Sequence, residues 1–238
     1  LWVSSSVRAS LLAIAFANIK RALGDRISLS EIKTITKGSF RSFGQNVIDI
    51  FLIPLLNKKY IARYIHLEGR ENIEEAFKKG KGVIFLSVHA GSWELSNAIC
   101  ADLGFGFSLF VRNQNMPRLN NLLNQYRRQK GCRIIKRDSQ TRQLIEALRN
   151  NEAIGMTADQ GGKGGILVDF FGKPASMPQG AVRIALKYDA VILPVYYARV
   201  KGLNHKVMIK PCFQLQKSGN LDKDLRDNLS RLVKIFEG

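Results

Sequence analysis

Apolar residues recur at helical spacing along the first part of the chain. From Val7 to about Leu23 they fall every three or four positions, with basic residues among them. The pattern predicts an amphipathic helix that either packs on the rest of the protein or lies on a membrane surface. A second helix is predicted from Ser30, a suitable N-cap with Glu31 just inside, to about Leu55. Residues 1–55 are thus expected to be a helical region, membrane-apposed on the second interpretation.

Beyond Gly69 the pattern alternates between helical and strand-like segments, which favours βα units. Strands are predicted at 83–88, 107–111, 133–136, 153–158, 166–170, 191–200 and 206–210. Helices are predicted at 71–79, 92–103, 117–131, 141–150 and 179–188. The expected fold is α/β, with a mixed and largely parallel central sheet flanked by helices. Residues 56–238 are expected to form this α/β domain, as one structural unit with the N-terminal helices.

Charge narrows the class of partner. The 238 residues include 37 Lys and Arg against 19 Asp and Glu, which gives a formal net charge of +18. This balance favours a polyanionic partner, such as phospholipid headgroups, nucleic acid or an acidic carrier protein. The three cysteines have no metal-binding spacing and are expected to be reduced and structural.

No apolar run reaches the roughly 18 to 20 residues that a membrane-spanning helix needs. The chain opens on Leu1 rather than Met and stops on a helical pattern at Gly238. It is therefore expected to be a piece of a longer protein, and the question of whether the parent protein has a membrane anchor stays open.

The most informative segment is Val83 to Glu94, where a buried strand is followed by His89, a turn and a helix. In open α/β sheets, ligands bind at the carboxyl end of such strands. The turn would let Glu94 accept a hydrogen bond from one ring nitrogen of His89, leaving the other nitrogen free to take a proton. The alternative is structural: Glu94 caps the helix and His89 is a half-buried histidine.

His89 and Glu94, with four residues between them, resemble the HX4(D/E) signature of glycerolipid acyltransferases. The segment VHAGSWELSNA is similar to the bacterial late lipid A acyltransferases, which transfer lauroyl and myristoyl groups. The resemblance covers roughly residues 30 to 215. Its further motifs are Arg112-Asn-Gln-Asn115, the ADQ of residues 158–160, Phe170-Phe-Gly-Lys-Pro174 and AVRIALKYDAVILPVYYAR.

The resemblance implies transfer of a fatty acyl group from acyl carrier protein or acyl-CoA to a hydroxyl of a lipid acceptor, such as a lipid A precursor. His89 would be the general base and Glu94 its partner. No metal or organic cofactor and no nucleic acid partner is implied. The implied location is the cytoplasmic face of the bacterial inner membrane.

Other residues become candidate substrate ligands through the same resemblance. Arg112 would bind phosphate or phosphopantetheine, helped by Asn115. Asp159 and Gln160 would orient the histidine or the acceptor, and Phe171 and Gly172 would line the acyl and acceptor site. Without the resemblance, Arg112 is also compatible with a solvated arginine and Asp159 with a turn former.

Two other functions remain open at this stage. One is a non-catalytic, basic module that binds lipid or nucleic acid and in which His89 merely packs. The basic segment from Arg112 to Arg142 holds nine Lys or Arg and one acid, Asp138, which is typical either of a solvated helix face and loop or of a surface that attracts an anionic lipid or an acidic acyl carrier. The other is a thioesterase in which His89 activates water. The glycine-rich segment around Lys163 lacks the phosphate-loop pattern and precedes a predicted strand, so it favours a hairpin.

Overall fold

The computed structural model describes residues 5–137, 140–162 and 164–237, with side chains from Leu11 onward. Asp138, in the basic segment, and Lys163, in the glycine-rich segment, lie outside these ranges. The helices are α1 (Ser5–Leu23), α2 (Leu29–Leu52), α3 (Lys58–Tyr64), α4 (Arg70–Lys78), α5 (Trp93–Asp102), α6 (Pro117–Gln129), α7 (Thr141–Arg149), α8 (Gly180–Tyr188) and α9 (Leu221–Glu237). The strands are β1 (Ile65–Glu68), β2 (Val83–Ser87), β3 (Phe107–Val111), β4 (Arg133–Lys136), β5 (Ala153–Thr157), β6 (Ile166–Phe170), β7 (Lys173–Met177), β8 (Val191–Lys201) and β9 (Asn204–Ile209).

The central sheet confirms the expected α/β class. Its seven described strands run in the order β1-β9-β8-β2-β5-β3-β4, and every pairing is parallel except that of β8 with β9. Strands β6 and β7 form a separate antiparallel hairpin. The inner strands β2 and β5 are buried on both faces, as their nearly continuous apolar sequences require.

Two hydrophobic clusters lie on opposite faces of the sheet. One packs β2, β3 and β8 against α4 and α5, and the other packs them against α7, α8 and α9. Side chains alternate between the faces along a strand, so Phe85 belongs to the first cluster and Leu86 to the second. The sheet is thus the middle of three layers. Because helices cover its two faces, a ligand would reach it at the edge formed by the carboxyl ends of the parallel strands.

Two features near the N-terminus differ from the sequence predictions. Helix α2 is capped by Ser28 and not by Ser30, because a capping box pairs the cap with the glutamate three positions later, here Glu31. Helix α3 and strand β1 were not predicted, since both are short and only partly buried. Among the described residues, no helix has the length and apolar content to cross a membrane.

Candidate active site

The register of two parallel strands brings His89 to Asp159. Strands β2 and β5 pair with Ser87 opposite Thr157, and the Ala158 N–H donates to the Ser87 carbonyl at 2.9 Å. Two residues further along each strand, the chain reaches His89 on one side and Asp159 on the other. Residues 70 positions apart in the sequence therefore meet at the carboxyl edge of the sheet.

Asp159 contacts both the ring and the backbone of His89. Its Oδ1 lies 2.8 Å from Nδ1 of the imidazole, and its Oδ2 accepts a hydrogen bond of 2.9 Å from the His89 backbone N–H. An ionised carboxylate only accepts hydrogen bonds, so the proton of a neutral imidazole must sit on Nδ1. Nε2 then carries the lone pair that can take a proton from a substrate.

The charge state of Asp159 supports this tautomer. Burial by itself would raise the pKa of the carboxyl, but the hydrogen bonds from the ring and backbone of His89 outweigh it and lower the pKa below the ordinary 3.8. The carboxylate is therefore ionised at neutral pH, and its capacity to accept both hydrogen bonds from His89 is lost as the pH falls through this lowered pKa.

A tight turn after β2 presents the histidine. The Ala90 N–H donates to the Val88 carbonyl at 2.7 Å, which leaves His89 at the apex. Gly91 has a φ of +57°, and a Cβ there would lie 2.6 Å from the Tyr197 carbonyl oxygen, so only glycine fits. Trp93 then packs against the imidazole, with ring centroids 5.5 Å apart at an interplanar angle of 73°.

Glu94 does not make the predicted contact with His89. Its two carboxylate oxygens accept hydrogen bonds from Arg127 on α6, one from Nε at 3.0 Å and one from Nη2. Arg127 also donates to Asn124 at 3.0 Å through Nη1, and Glu94 and Arg127 are each only 7% exposed. Glu94 lies in the first turn of α5 and is bound to Arg127 of α6, and it lines the same cavity as His89. The predicted hydrogen bond is replaced by a buried ion pair.

A cavity of about 740 Å³ opens beside His89. Its exposed lining residues include Arg112, Gln114, Arg137 and Gln160, and its buried lining holds the Glu94–Arg127 ion pair beside apolar residues of the sheet and α5. The buried apolar lining residues are Phe85, Cys100, Phe107, Leu109 and Val195. Burial raises the pKa of the Cys100 thiol to about 12, so this cysteine is an inert lining residue.

The structure gathers some of the sequence-predicted residues and leaves others apart. Arg112 and Gln160 line the cavity, and Asp159 binds the histidine. Phe171 and Gly172 form the turn between β6 and β7, where the Phe171 N–H donates to Glu237 at 2.8 Å. Neither they nor the exposed Asn115 are among the described lining residues, and their substrate-binding roles stay predictions.

Sequence reasoning missed Arg127 and Arg137. Both lie in the basic segment, which was treated as a solvated helix and loop or as an attractor for anions. Arg127 is buried because it falls on the inward face of α6, one turn beyond the buried Leu123. That helical spacing was the available signal.

Comparisons with known proteins identify the family. The family model described as bacterial lipid A biosynthesis acyltransferase matches residues 3–238. The chain belongs to this family. As a member of the lipid A biosynthesis acyltransferase family, it carries the histidine at the position that the sequence resemblance assigned to the general base.

Curated relatives fall into two named groups. A phosphatidylinositol mannoside acyltransferase of Mycobacterium tuberculosis is 26% identical over 165 residues, which cover 66% of this chain and 52% of the relative. A lipid A biosynthesis acyltransferase of Haemophilus influenzae is 23% identical over 159 residues, covering 66% and 50%. A phosphatidylinositol mannoside acyltransferase of Mycolicibacterium smegmatis is 21% identical over 167 residues, covering 68% and 55%. The chain thus spans about half the length of the curated relatives that it matches.

Proposed function

We propose that this protein transfers a fatty acyl group from a thioester donor, acyl carrier protein or acyl-CoA, to a hydroxyl of a glycolipid or phospholipid acceptor. The observation that carries the proposal is the His89–Asp159 pair beside a cavity whose lining includes exposed basic and amide side chains and a set of buried apolar residues. The buried apolar lining suits an alkyl chain, and a base beside it suits the reacting end of that chain. A lipid A precursor is the acceptor that the family favours.

The reaction needs one proton acceptor and no covalent enzyme intermediate. Nε2 of His89 takes the proton of the acceptor hydroxyl while its oxygen attacks the thioester carbonyl. The tetrahedral intermediate then expels the thiolate, which takes the proton back from the imidazolium. Asp159 keeps the proton on Nδ1 and stabilises the positive charge on the ring during the reaction. No metal or organic cofactor enters these steps.

Arg112 is the residue that we propose binds an anionic headgroup or phosphopantetheine. It is an exposed lining residue of the cavity, as is Arg137. A guanidinium binds phosphate through paired, charge-assisted hydrogen bonds. We assign Arg112 to substrate binding rather than to chemistry.

We propose that the reaction takes place at the cytoplasmic face of the bacterial inner membrane, with residues 1–55 facing the lipid. In the proposed mechanism Glu94 has a structural role, which is to join α5 to α6 through Arg127.

Mass spectrometry of lipids after incubation with a panel of acyl donors tests the function. Acyl-CoA and acyl carrier protein donors of different chain lengths are each combined with lipid A precursors, mannosylated phosphatidylinositol or lysophospholipids. We expect a new ester on a lipid acceptor. Free fatty acid with no acylated lipid would indicate a thioesterase. Salt-sensitive duplex binding with no acyl transfer would favour a nucleic-acid module.

Replacing Asp159 with asparagine tests the orienting carboxylate. Asn can donate to Nδ1 and so favour the wrong tautomer of His89. We expect turnover to fall roughly 10- to 100-fold, as part of the 10²- to 10⁴-fold contribution of general-base catalysis. The matched control is Asp222→Asn on the exposed N-terminal turn of α9. Equal turnover in the two variants would contradict the assignment.

Replacing Arg112 with alanine tests headgroup binding. Loss of one charge-assisted hydrogen bond should raise the Michaelis constant of the phosphate-bearing substrate about tenfold, with a smaller change in kcat. Arg142→Ala is the control, because Arg142 is in the same basic segment, is 92% exposed and pairs with Glu146 on its own helix. An unchanged Michaelis constant for both donor and acceptor would remove Arg112 from the site.

A further inference from the structure

The C-terminal half of α2 has its apolar side turned outward. Phe43, Ile48 and Phe51 are 57%, 63% and 61% exposed, and Val47 is 37% exposed. At about 100° per residue these positions fall on one side of the helix, and Leu55, 61% exposed, continues it beyond the helix end. We call these five residues the apolar face of α2.

Polar residues occupy the opposite, inward side. Asp49 is 2% exposed and pairs with Arg199 near the end of β8, and Asn46 is 8% exposed. Because the buried Asp49 is paired with Arg199, α2 cannot roll to hide its apolar face without breaking an ion pair. The outward orientation is therefore built into the packing.

An outward apolar face needs a reason. On a surface helix the apolar stripe ordinarily faces the core, and burial of Phe and Ile side chains is among the largest favourable contributions to folding. A contiguous exposed apolar patch is typical of a surface that contacts a partner or a membrane.

The charges around this face fit an anionic surface. From Ile32 to Leu67 the sequence holds one acid, the buried Asp49, against six basic residues. All six are exposed, and they precede and follow the apolar face along the chain: Lys33, Lys37, Arg41, Lys58, Lys59 and Arg63. No exposed carboxylate in this stretch would oppose an anionic partner. Lys and Arg beside an inserted apolar face are the combination that binds anionic bilayers.

The position of α2 links this face to the catalytic edge. Helix α2 packs against α5, the helix that follows His89, and its Asp49 is paired to Arg199. Arg199 lies two residues from Tyr197, whose backbone contacts the loop at Gly91. A surface bound to α2 is thereby held in a fixed relation to the loop that carries the histidine.

We propose that the apolar face of α2 is the membrane-docking surface of this protein, with Phe43, Ile48 and Phe51 inserted among anionic headgroups and the flanking Lys and Arg bound to phosphate. This inference deepens the proposed function. It rests on that function only for the reason why the protein docks, which is that an acyltransferase must reach its lipid acceptor at a bilayer. The docking itself stands on the exposure and charge of α2.

Vesicle binding tests the docking surface. The protein is sedimented with vesicles of phosphatidylglycerol and phosphatidylethanolamine, and with vesicles of phosphatidylcholine alone. The test variant is Phe43→Ser/Ile48→Ser/Phe51→Ser. The matched control, Val200→Ser/Leu203→Ser/Leu221→Ser, replaces three exposed apolar residues elsewhere. We expect binding to the anionic vesicles that weakens with added salt and falls on the order of 100-fold in the test variant, with the control like the original protein.

A label reports insertion directly. The three native cysteines are buried, so Ile48→Cys places an accessible thiol on the apolar face. An environment-sensitive dye on this thiol should shift its emission to the blue with anionic vesicles. A dye on Val200→Cys should not shift.

The outcomes separate this proposal from the proposed function. With detergent-dispersed donor and acceptor, the test variant should retain the transfer rate, because its substitutions lie outside the cavity. If the original protein, the test variant and the control all fail to transfer an acyl group, but only the test variant loses vesicle binding, the result would contradict the proposed function and leave the docking surface standing. Equal vesicle binding by test variant and control would overturn the docking surface. So would a dimer in solution that the test variant dissociates, with unchanged vesicle binding, because the face would then join two copies of the chain.

Discussion

Replacing His89 with alanine is expected to lower the rate of acyl transfer by about 10²- to 10⁴-fold, which is the usual contribution of a general base. The imidazole is the group that removes the hydroxyl proton, and Asp159 cannot replace it, because its carboxylate is turned towards the ring and backbone of residue 89. The measurement is initial rate at saturating donor and acceptor, followed by mass spectrometry of the acylated lipid.

The control for His89→Ala is His66→Ala. The His66 side chain is 70% exposed and pairs with Glu68 on the edge strand β1. The His89 side chain is only 27% exposed, so the free energy of unfolding is compared for both variants to separate lost chemistry from lost fold. Wild-type turnover in His89→Ala would refute the general-base assignment. Partial recovery of the rate on adding imidazole would strengthen it.

Replacing Glu94 with alanine is expected to lower the free energy of unfolding by about 3–5 kcal/mol, because Arg127 would be left buried without its counter-ion. Both side chains are buried, and the pair is bidentate, so water offers the guanidinium little compensation. Denaturant unfolding followed by circular dichroism measures the change. The control Glu75→Ala removes an exposed partner of Lys79 on α4 and should change stability by less than about 1 kcal/mol.

The double variant Glu94→Met/Arg127→Met separates stability from chemistry. Apolar residues of similar volume often replace a buried ion pair at little cost, so most of the lost stability should return. If Glu94 acts only by joining α5 to α6, the double variant should lose far less turnover than His89→Ala. A stable double variant with turnover as low as that of His89→Ala would restore Glu94 to a part in the reaction.

Periodicity predicted most of the fold because apolar spacing reports which face of an element is buried. The strands at β2, β5 and β8 and the helices at α5 to α8 were expected within a few residues of their observed bounds. The pattern failed where burial is slight or the sequence is atypical. Strand β7 contains Pro174 and, among the strands that the structure describes, pairs with β6 alone; a proline in a strand is usually evidence against a central strand.

The sequence by itself determined that a histidine stands at the carboxyl end of a buried strand, because the apolar run, the turn residues and the following helix are all local signals. It also determined the basic character of the surface, which depends only on composition. The sequence did not determine which side of a helix is exposed. Only the tertiary structure shows that Phe43 and Phe51 lie on the exposed side of α2, because Asp49 on the opposite side pairs with Arg199.

The partner of His89 was decided by tertiary structure. Glu94 is five residues away in sequence, yet it turns to α6, because Arg127 offers it two charge-assisted hydrogen bonds in a buried site. Asp159 is 70 residues away, yet it reaches the ring, because parallel pairing of β2 with β5 sets the two strand ends side by side. Spacing along the chain carries no information about strand order or register, and those two quantities fix which carboxylate meets the imidazole.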